Sequence, residues 1–382
     1  MRKLLFSMVV LFIVCGVVHA QKYRIEEVFQ IGGPEIEDEN LIFLLPQELH
    51  TDSEGSVYIR DIVSRMGCAS TEIRKFDQYG KFIKKIGRAG QGPGEFQRIN
   101  SCTINGKDEL VVFGAINYKL AFFRHDGQLL REVQLDKEHW NNIVSIWSYN
   151  GQYLVNQYDT DKPNDPILYV YDSTFTTVID TFGTREDFWK FDKDIEFSKS
   201  RSMGGKIQIA FNQNYQFIGS PEFYDGDVIY FCQTNGAWGY TRIEGKKPYY
   251  SSYKLVKMTD MSSGKRPDPN FFKKPFKVGS KHSYSSGWFN FQYINYNINV
   301  GLYALNDTSL IQFIICSTKK KKYELGFNEF SYSGTFLGYQ LIQTYDKNIL
   351  DNVKVIGATN RNEFFIADEV NDCPVIRKIR IK

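Results

Sequence analysis

Residues 73–96 read IRKFDQYGKFIKKIGRAGQGPGEF, and this stretch decides the fold. It contains a short apolar strand, a turn with the sequence DQYG at residues 77–80, and a second strand that ends at Ile86. Short strands joined by Asp/Gly turns are typical of β-hairpins, and no 3.6-residue apolar period of useful length competes with them. The stretch therefore predicts antiparallel β structure.

The same hairpin pattern recurs along the chain. Gly127 closes a second copy 47 residues after Gly80, and looser copies follow at residues 169–183, 240–256 and 323–343. A spacing of about 40–50 residues with several short strands per unit is typical of β-propeller blades.

The two ends of the chain supply the sixth blade. Residues 363–367 and 375–381 read as two strands that lack an outer partner. Near the N-terminus, residues 23–33 (YRIEEVFQIGG) are similar to the outer strand at residues 81–90 (KFIKKIGRAG). We therefore predict an all-β, six-bladed β-propeller that is closed by pairing residues 23–31 with residues 375–381. Closure removes the exposed edge that an open array would leave.

The sequence of residues 73–96 resembles the repeat of NHL-type six-bladed β-propellers, a family common among exported bacterial proteins. The resemblance covers about one blade sharply, and long inserts near residues 186–213 and 258–290 depart from it. It implies the fold, because propellers host many unrelated functions. We expect residues 21–382 to form a single propeller domain.

The first residues, MRKLLFSMVVLFIVCGVVHA, have the features of a signal peptide. Arg2 and Lys3 precede an apolar core at residues 4–18, which is shorter than the roughly 20 residues that a membrane-spanning helix needs. We predict that residues 1–20 are cleaved after Ala20 and that the protein is exported to the periplasm or the cell exterior. No transmembrane segment is expected after cleavage.

Charge and cysteine usage narrow the function classes. The net charge is only +3, and two of the positive residues belong to the leader, so the basic footprint of a nucleic-acid binder is absent. The sequence has no CxxC pair and no Cys/His motif, so no metal ligand is predicted from spacing. Cys68 and Cys373 fall in corresponding loops of blades that the closure makes neighbours, which predicts a disulfide between them.

Ligand binding is expected on the face formed by the loops after each second strand and by the blade-to-blade crossings. Such loops carry function while the strands supply rigidity. The predicted binding residues on this face are Arg60, Asp61, Arg65, Tyr118 and Trp238. A glycan stacked on an aromatic ring, a peptide and an envelope protein are the expected partner classes.

No catalytic motif is found: GxSxG and HExxH are both absent. We therefore expect a binding or interaction protein without a cofactor. The resemblance leaves one alternative, because some related six-bladed propellers are calcium-dependent lactonases or metal-using lyases with ligands at the central channel. A metal-dependent hydrolase or lyase would use a divalent cation such as calcium at the channel mouth, with His50 as the candidate ligand. A structural subunit of a cell-envelope complex is the third hypothesis.

Overall fold

The computed structural model describes residues 22–62, 70–135, 143–149, 151–157, 166–184, 297–317, 322–331, 336–347, 349, 352–360 and 362–382, together with the strands named below between residues 200 and 293. Within these residues the chain is β structure apart from one 3₁₀ turn at Glu39–Leu41. In this part of the chain, no helix has the length and apolar character needed to cross a membrane.

The strands of the first half of the chain are β1 (Ile25–Ile31), β2 (Pro46–Thr51), β3 (Val57–Asp61), β4 (Ile73–Phe76), β5 (Phe82–Ile86), β6 (Arg88–Ala89), β7 (Glu95–Phe96), β8 (Ile99–Ile104), β9 (Leu110–Gly114), β10 (Lys119–Phe123), β11 (Leu129–Gln134), β12 (Ile143–Tyr149), β13 (Gln152–Gln157), β14 (Pro166–Tyr171) and β15 (Val178–Thr184).

The strands of the second half are β16 (Ser200–Arg201), β17 (Ile207–Gln208), β18 (Glu222–Tyr224), β19 (Val228–Cys232), β20 (Trp238–Ile243), β21 (Tyr250–Val256), β22 (His282–Ser286), β23 (Phe289–Tyr293), β24 (Asn297–Ala304), β25 (Ser309–Ser317), β26 (Tyr323–Ser331), β27 (Phe336–Tyr345), β28 (Lys354–Asn360), β29 (Glu363–Val370) and β30 (Cys373–Ile381).

Six of the sheets have four strands each, and we number them as blades 1 to 6. From the inner strand outward they are β2 to β5, β8 to β11, β12 to β15, β18 to β21, β24 to β27, and β28, β29, β30 and β1. The predicted six-bladed β-propeller is thus confirmed. The two-stranded sheet β16–β17 lies inside the first predicted insert, and the two-stranded sheet β22–β23 lies at the end of the second. The other residues of both inserts lie outside the described residues.

The ring closes as the sequence predicts. Strand β1 pairs antiparallel with β30, so that Ile25 stands opposite Ile381 and Ile31 opposite Ile376. Beyond the paired strands, the backbones of residues 24 and 382 exchange two hydrogen bonds of 2.9 Å. Blade 6 is therefore built from both ends of the chain.

In the blades whose side chains the structure describes, apolar side chains on both faces of the sheets hold neighbouring blades together. In β3, Val57 and Ile59 pack against blade 6, whereas Tyr58 between them packs against blade 2. Successive residues of a strand face opposite sides, so a segment that packs against a blade on each side is apolar at successive positions. This explains why the inner part of β3 reads VYI, three buried residues without the polar alternation of a one-sided sheet.

Candidate functional site

The inner strands of blades 1, 2 and 3 share a β-bulge one residue after they begin. The extra residues, which have no partner on the second strand, are Gln47, Asn100 and Val144. The residue that follows the bulge is polar in every case: Glu48, Ser101 and Ser145. Bulges redirect side chains and occur frequently beside active sites. These three strands therefore place polar groups at corresponding points of the inner ring.

Glu48 connects blades 1 and 2 through its carboxylate. Its Oε2 atom accepts hydrogen bonds from Arg60 Nε at 2.9 Å and from the backbone N–H of Cys102 at 3.1 Å, and its Oε1 atom accepts one from Ser101 Oγ at 2.8 Å. Ser101 Oγ in turn accepts a hydrogen bond from the backbone N–H of Ile146 in blade 3 at 3.1 Å. A continuous polar chain therefore links the inner strands of three blades.

His50 lies on the same face of β2 as Glu48, two residues further along. Its Nε2 atom is buried and 3.3 Å from Glu48 Oε1, but it completes no hydrogen bond. Cys102 Sγ lies 3.8 Å from Glu48 Oε2. One ligand-type atom from each of these three residues falls within 4.8 Å of the others. The His50 and Glu48 side chains keep 12% and 14% exposure, so the cluster is enclosed without being sealed.

Lys354 connects blade 6 to the inner strand of blade 1, next to Glu48. It is the first residue of β28, and its Nζ atom donates a hydrogen bond of 2.8 Å to Gln47 Oε1 on β2. Burial and, after it, the positive charge of Arg60 lower the pKa of Lys354 to about 7, although Asp61 and Glu48 oppose the change. We call Glu48, His50, Arg60, Cys102 and Lys354 the channel site, because the inner strands of blades 6, 1 and 2 meet there.

The ionisation states within the channel site follow from burial and neighbouring charges. Burial would raise the pKa of Glu48, but the approach of His50 and the charge of Arg60 outweigh it and lower the pKa to about 2. Burial raises the pKa of the Cys102 thiol well above its ordinary value, and the charge of Glu48 adds to this effect. At neutral pH the site therefore contains a carboxylate and an un-ionised thiol.

The structure separates two residues that the sequence had placed together. Arg60 and Asp61 were expected in a loop, but both lie in β3. Arg60 belongs to the channel site, whereas the buried Asp61 accepts hydrogen bonds from the backbone N–H groups of Leu44 and Leu45 at 3.0 and 2.7 Å. Burial raises the pKa of Asp61 although these bonds and Arg74 oppose the rise. Asp61 therefore fixes the chain that arrives from β1.

The other predicted binding residues lie elsewhere. Tyr118 packs against the apolar cluster between blades 2 and 3, which contains no channel-site residue. Trp238 is the first residue of β20 in blade 4, although the sequence had placed it in the preceding loop. Arg65 and Cys68 lie outside the described residues, and Cys373 carries a free, partly exposed thiol. The Cys68–Cys373 disulfide stays a prediction.

Sequence reasoning named His50 and Arg60 but missed Glu48, Cys102 and Lys354. The available signal was the alternation in PQELHT, which puts two titratable side chains on one face of an inner strand. Cys102 and Lys354 gave no comparable signal, because they reach the site only when blades 2 and 6 pack against blade 1.

Comparison with known proteins agrees with the fold. The model of the DUF5128 family, described as a 6-bladed beta-propeller, matches residues 68–218. A DUF4221-family protein from Bacteroides vulgatus is similar in structure, with a TM-score of 0.56 and 11% identity over 94% of this chain and 98% of that one. A candidate exported protein from Bacteroides fragilis has a TM-score of 0.51 and 15% identity over 94% and 95% of the two chains. No curated protein matches the chain.

Proposed function

We propose that this protein is an exported binding protein that holds a small carboxylate-bearing ligand at the channel site. The observation that carries the proposal is the charge arrangement where blades 6, 1 and 2 meet. Arg60 and Lys354 are both basic, and the charge of Arg60 disfavours the charged form of Lys354. Both acidic neighbours are already engaged, because Glu48 accepts three hydrogen bonds of 3.1 Å or less and Asp61 accepts two from the backbone. A ligand carboxylate would give Lys354 a directly bonded negative partner.

Lys354 is the residue expected to meet the ligand first. Its side chain donates a hydrogen bond to the neutral Gln47, so its charge is not matched by a directly bonded acid among the described residues. An arriving carboxylate favours the charged form of a lysine, and this gain is larger where water is partly excluded. Acidic sugars and peptide C-termini both carry a carboxylate, and both belong to the partner classes expected from the sequence.

The binding test compares acids with matched neutral molecules. We expect D-glucuronate or triglycine with a free C-terminus to raise the unfolding temperature, whereas D-glucose and C-terminally amidated triglycine leave it unchanged. At a concentration of 100 times the dissociation constant, the stabilisation is about 2.7 kcal/mol. Which acid binds distinguishes a glycan from a peptide ligand. Equal shifts with acidic and neutral probes, or no shift with any of them, would contradict the proposal.

The matched variants are Lys354→Met and Lys347→Met. Lys347 is an exposed lysine that pairs with Glu369 and Asp372 in blade 6, so its loss removes a positive charge that two acids already match. Lys354→Met should weaken binding of the acid about 10-fold, corresponding to about 1.4 kcal/mol. Lys347→Met should bind like the parent protein. Equal weakening in both variants would show that only overall charge matters.

Export is the second part of the proposal, and it is supported by the leader sequence. N-terminal sequencing of the protein recovered from the periplasm or the medium should start at Gln21. Recovery of the intact Met1 form from the cytoplasm would contradict export.

A metal-dependent hydrolase or lyase is the second candidate function. The observation that favours it is the convergence of Glu48, His50 and Cys102, which are three metal-ligand residue types. A turnover assay with lactones or acidic disaccharides, run with and without added divalent cation, would separate a metal enzyme from a binding protein.

A further inference from the structure

Three side chains of the channel site have the geometry of a zinc site. His50 Nε2 lies 3.3 Å from Glu48 Oε1, and Cys102 Sγ lies 3.8 Å from Glu48 Oε2. A tetrahedral zinc ion with bonds of about 2.0–2.1 Å to nitrogen and oxygen and about 2.3 Å to sulfur separates its N and O ligands by about 3.3 Å and its O and S ligands by about 3.6 Å. The two distances go to different oxygens of Glu48, and one ligand-type atom from each of the three residues falls within 4.8 Å of the others. The three side chains therefore lie close enough to reach ligand spacing around one ion after small side-chain rotations.

We propose that Glu48, His50 and Cys102 bind one zinc ion between the inner strands of blades 1 and 2. The inference uses the same channel site as the proposed function and adds a metal to it.

The donor types select the metal. Calcium and magnesium prefer sets of oxygen ligands, whereas thiolate and imidazole suit zinc. The Cys102 thiol releases its proton to solvent when its sulfur bonds the metal. One thiolate and one carboxylate then balance the double charge of the ion, and the imidazole stays neutral. Calcium, the cation named for the alternative of a metal-dependent hydrolase or lyase, does not fit this donor set.

The surroundings of Glu48 hold it in a ligand geometry. A carboxylate has about four lone-pair positions, and Arg60, Ser101 and the backbone of Cys102 engage three of them. The Cys102 thiol also donates to this carboxylate, at 3.8 Å, and that position becomes available to a metal when the thiol releases its proton. The other three donors act as the outer-shell partners that orient metal ligands in proteins.

His50 supplies the second, independent observation. Its Nε2 atom is buried without completing a hydrogen bond, although a buried polar nitrogen normally has a partner. Coordination of a metal would satisfy it. Because the protein offers three ligands, the fourth zinc position would stay open to water or to a ligand carboxylate, as in catalytic zinc sites.

Cobalt substitution tests the site directly. The reduced protein is treated with a chelator, dialysed and titrated with Co²⁺, which replaces zinc and gives a thiolate-to-cobalt charge-transfer band when a cysteine is bound. We expect a band that saturates at a single equivalent and disappears when Zn²⁺ is added. Absence of the band at saturating Co²⁺ would overturn the proposal.

The variants identify the ligands. Cys102→Ser should lose the band and still fold, because its hydroxyl can donate to Glu48 as the thiol does. His50→Gln should weaken metal binding strongly, and Ser101→Ala should weaken it about 10–100-fold as an outer-shell change. Cys373→Ala is the control, since its thiol lies outside the site and the band should persist. An unchanged band in Cys102→Ser, or its loss in Cys373→Ala, would place the metal elsewhere.

The two proposals fail in different ways. Binding of glucuronate to the chelator-treated protein reports on Lys354 and Arg60 without the metal. The cobalt band reports on Glu48, His50 and Cys102 without the acid. Either result can therefore be negative while the other is positive.

Discussion

Blades 1 and 6 carry the same ion pair at the same place in their sheets. In blade 1, Asp61 ends the second strand, and its Oδ2 atom lies 3.8 Å from Arg74 Nη2 on the third strand. In blade 6, Asp368 on β29 binds Arg377 on β30. In both sheets the arginine stands opposite the residue two positions before the aspartate. The pair is therefore a repeated feature of the blade.

The pair has the same structural role in both blades. Asp61 binds the backbone of Leu44 and Leu45, which lead into blade 1. Asp368 accepts a hydrogen bond of 2.8 Å from the hydroxyl of Tyr345, the last residue of blade 5. Each aspartate thus fixes the chain that arrives from the preceding sheet.

The inner strands of the two blades differ. Glu48 stands opposite the residue that precedes Asp61, and Lys354 stands opposite the residue that precedes Asp368. Equivalent places therefore carry opposite charges, and both charges point to the junction of blades 6, 1 and 2 through their contacts with Arg60 and Gln47. The repeated pair serves the architecture that both blades share, whereas the unrepeated charges build a site that occurs once.

The largest expected effect comes from the way blade 6 is assembled. Blade 1 is one continuous segment, but blade 6 needs β1 from the other end of the chain. Deleting residues 23–33 should abolish cooperative folding, because β30 loses its outer partner and the buried Ile31 and the ring contact of Phe29 with Phe365 are removed. Denaturant unfolding followed by near-UV circular dichroism measures this loss.

A circular permutant is the matched control for the deletion. Residues 24 and 382 exchange backbone hydrogen bonds, so a short Gly/Ser linker can join the ends while new termini open the turn at Gly106. This protein keeps β1 beside β30 and should fold like the parent. If the truncated chain unfolds as cooperatively and as late as the parent, closure by β1 does not stabilise the ring.

The next effect tests whether the two ion pairs are equivalent. Arg74→Met and Arg377→Met each leave a buried aspartate without its cation, which should lower the free energy of unfolding by about 3–5 kcal/mol. Urea unfolding at neutral pH measures both. Arg124→Met is the control, because this exposed arginine pairs with Asp126 at the surface and should cost at most about 1 kcal/mol. If Arg74→Met lowers the free energy of unfolding no more than Arg124→Met does, the buried ion pair does not stabilise the fold.

The fold followed from the sequence because local patterns specify it. The Asp/Gly turn at residues 77–80 and the apolar run VYI of β3 each report a strand or hairpin through neighbouring residues. Even the closure was predictable, since YRIEEVFQIGG looks like an outer strand wherever it occurs. These patterns can be recognised from neighbouring residues alone, without reference to how the blades pack.

The channel site did not follow in the same way. Cys102 reads as a small residue in a buried strand, and only the packing of β8 against β2 brings its sulfur to Glu48. Lys354 reads as an ordinary strand-end lysine until blade 6 meets blade 1. For Asp61 the sequence predicted a binding role where the structure shows a structural one. A polar residue at a strand end suggests a binding loop, whereas Asp61 is buried and accepts hydrogen bonds from the backbone.

The smallest expected effect is a change of the free energy of unfolding with pH that comes from the inner-strand lysine of blade 6, Lys354. The pKa of Lys354 is about 7 in the folded protein and near its ordinary value of 10.5 in the unfolded chain. Between pH 7 and 9 the unfolded chain therefore holds more protons than the folded one, so the free energy of unfolding should rise with pH, by on the order of 1–2 kcal/mol. Lys354→Met should lack this rise. Lys347→Met should retain it, since the pKa of Lys347 is raised by its bonds to Asp372 and Glu369 and does not fall within this range. Urea unfolding at a series of pH values measures the three proteins. A parallel rise in all of them would show that Lys354 is not the source of the pH dependence.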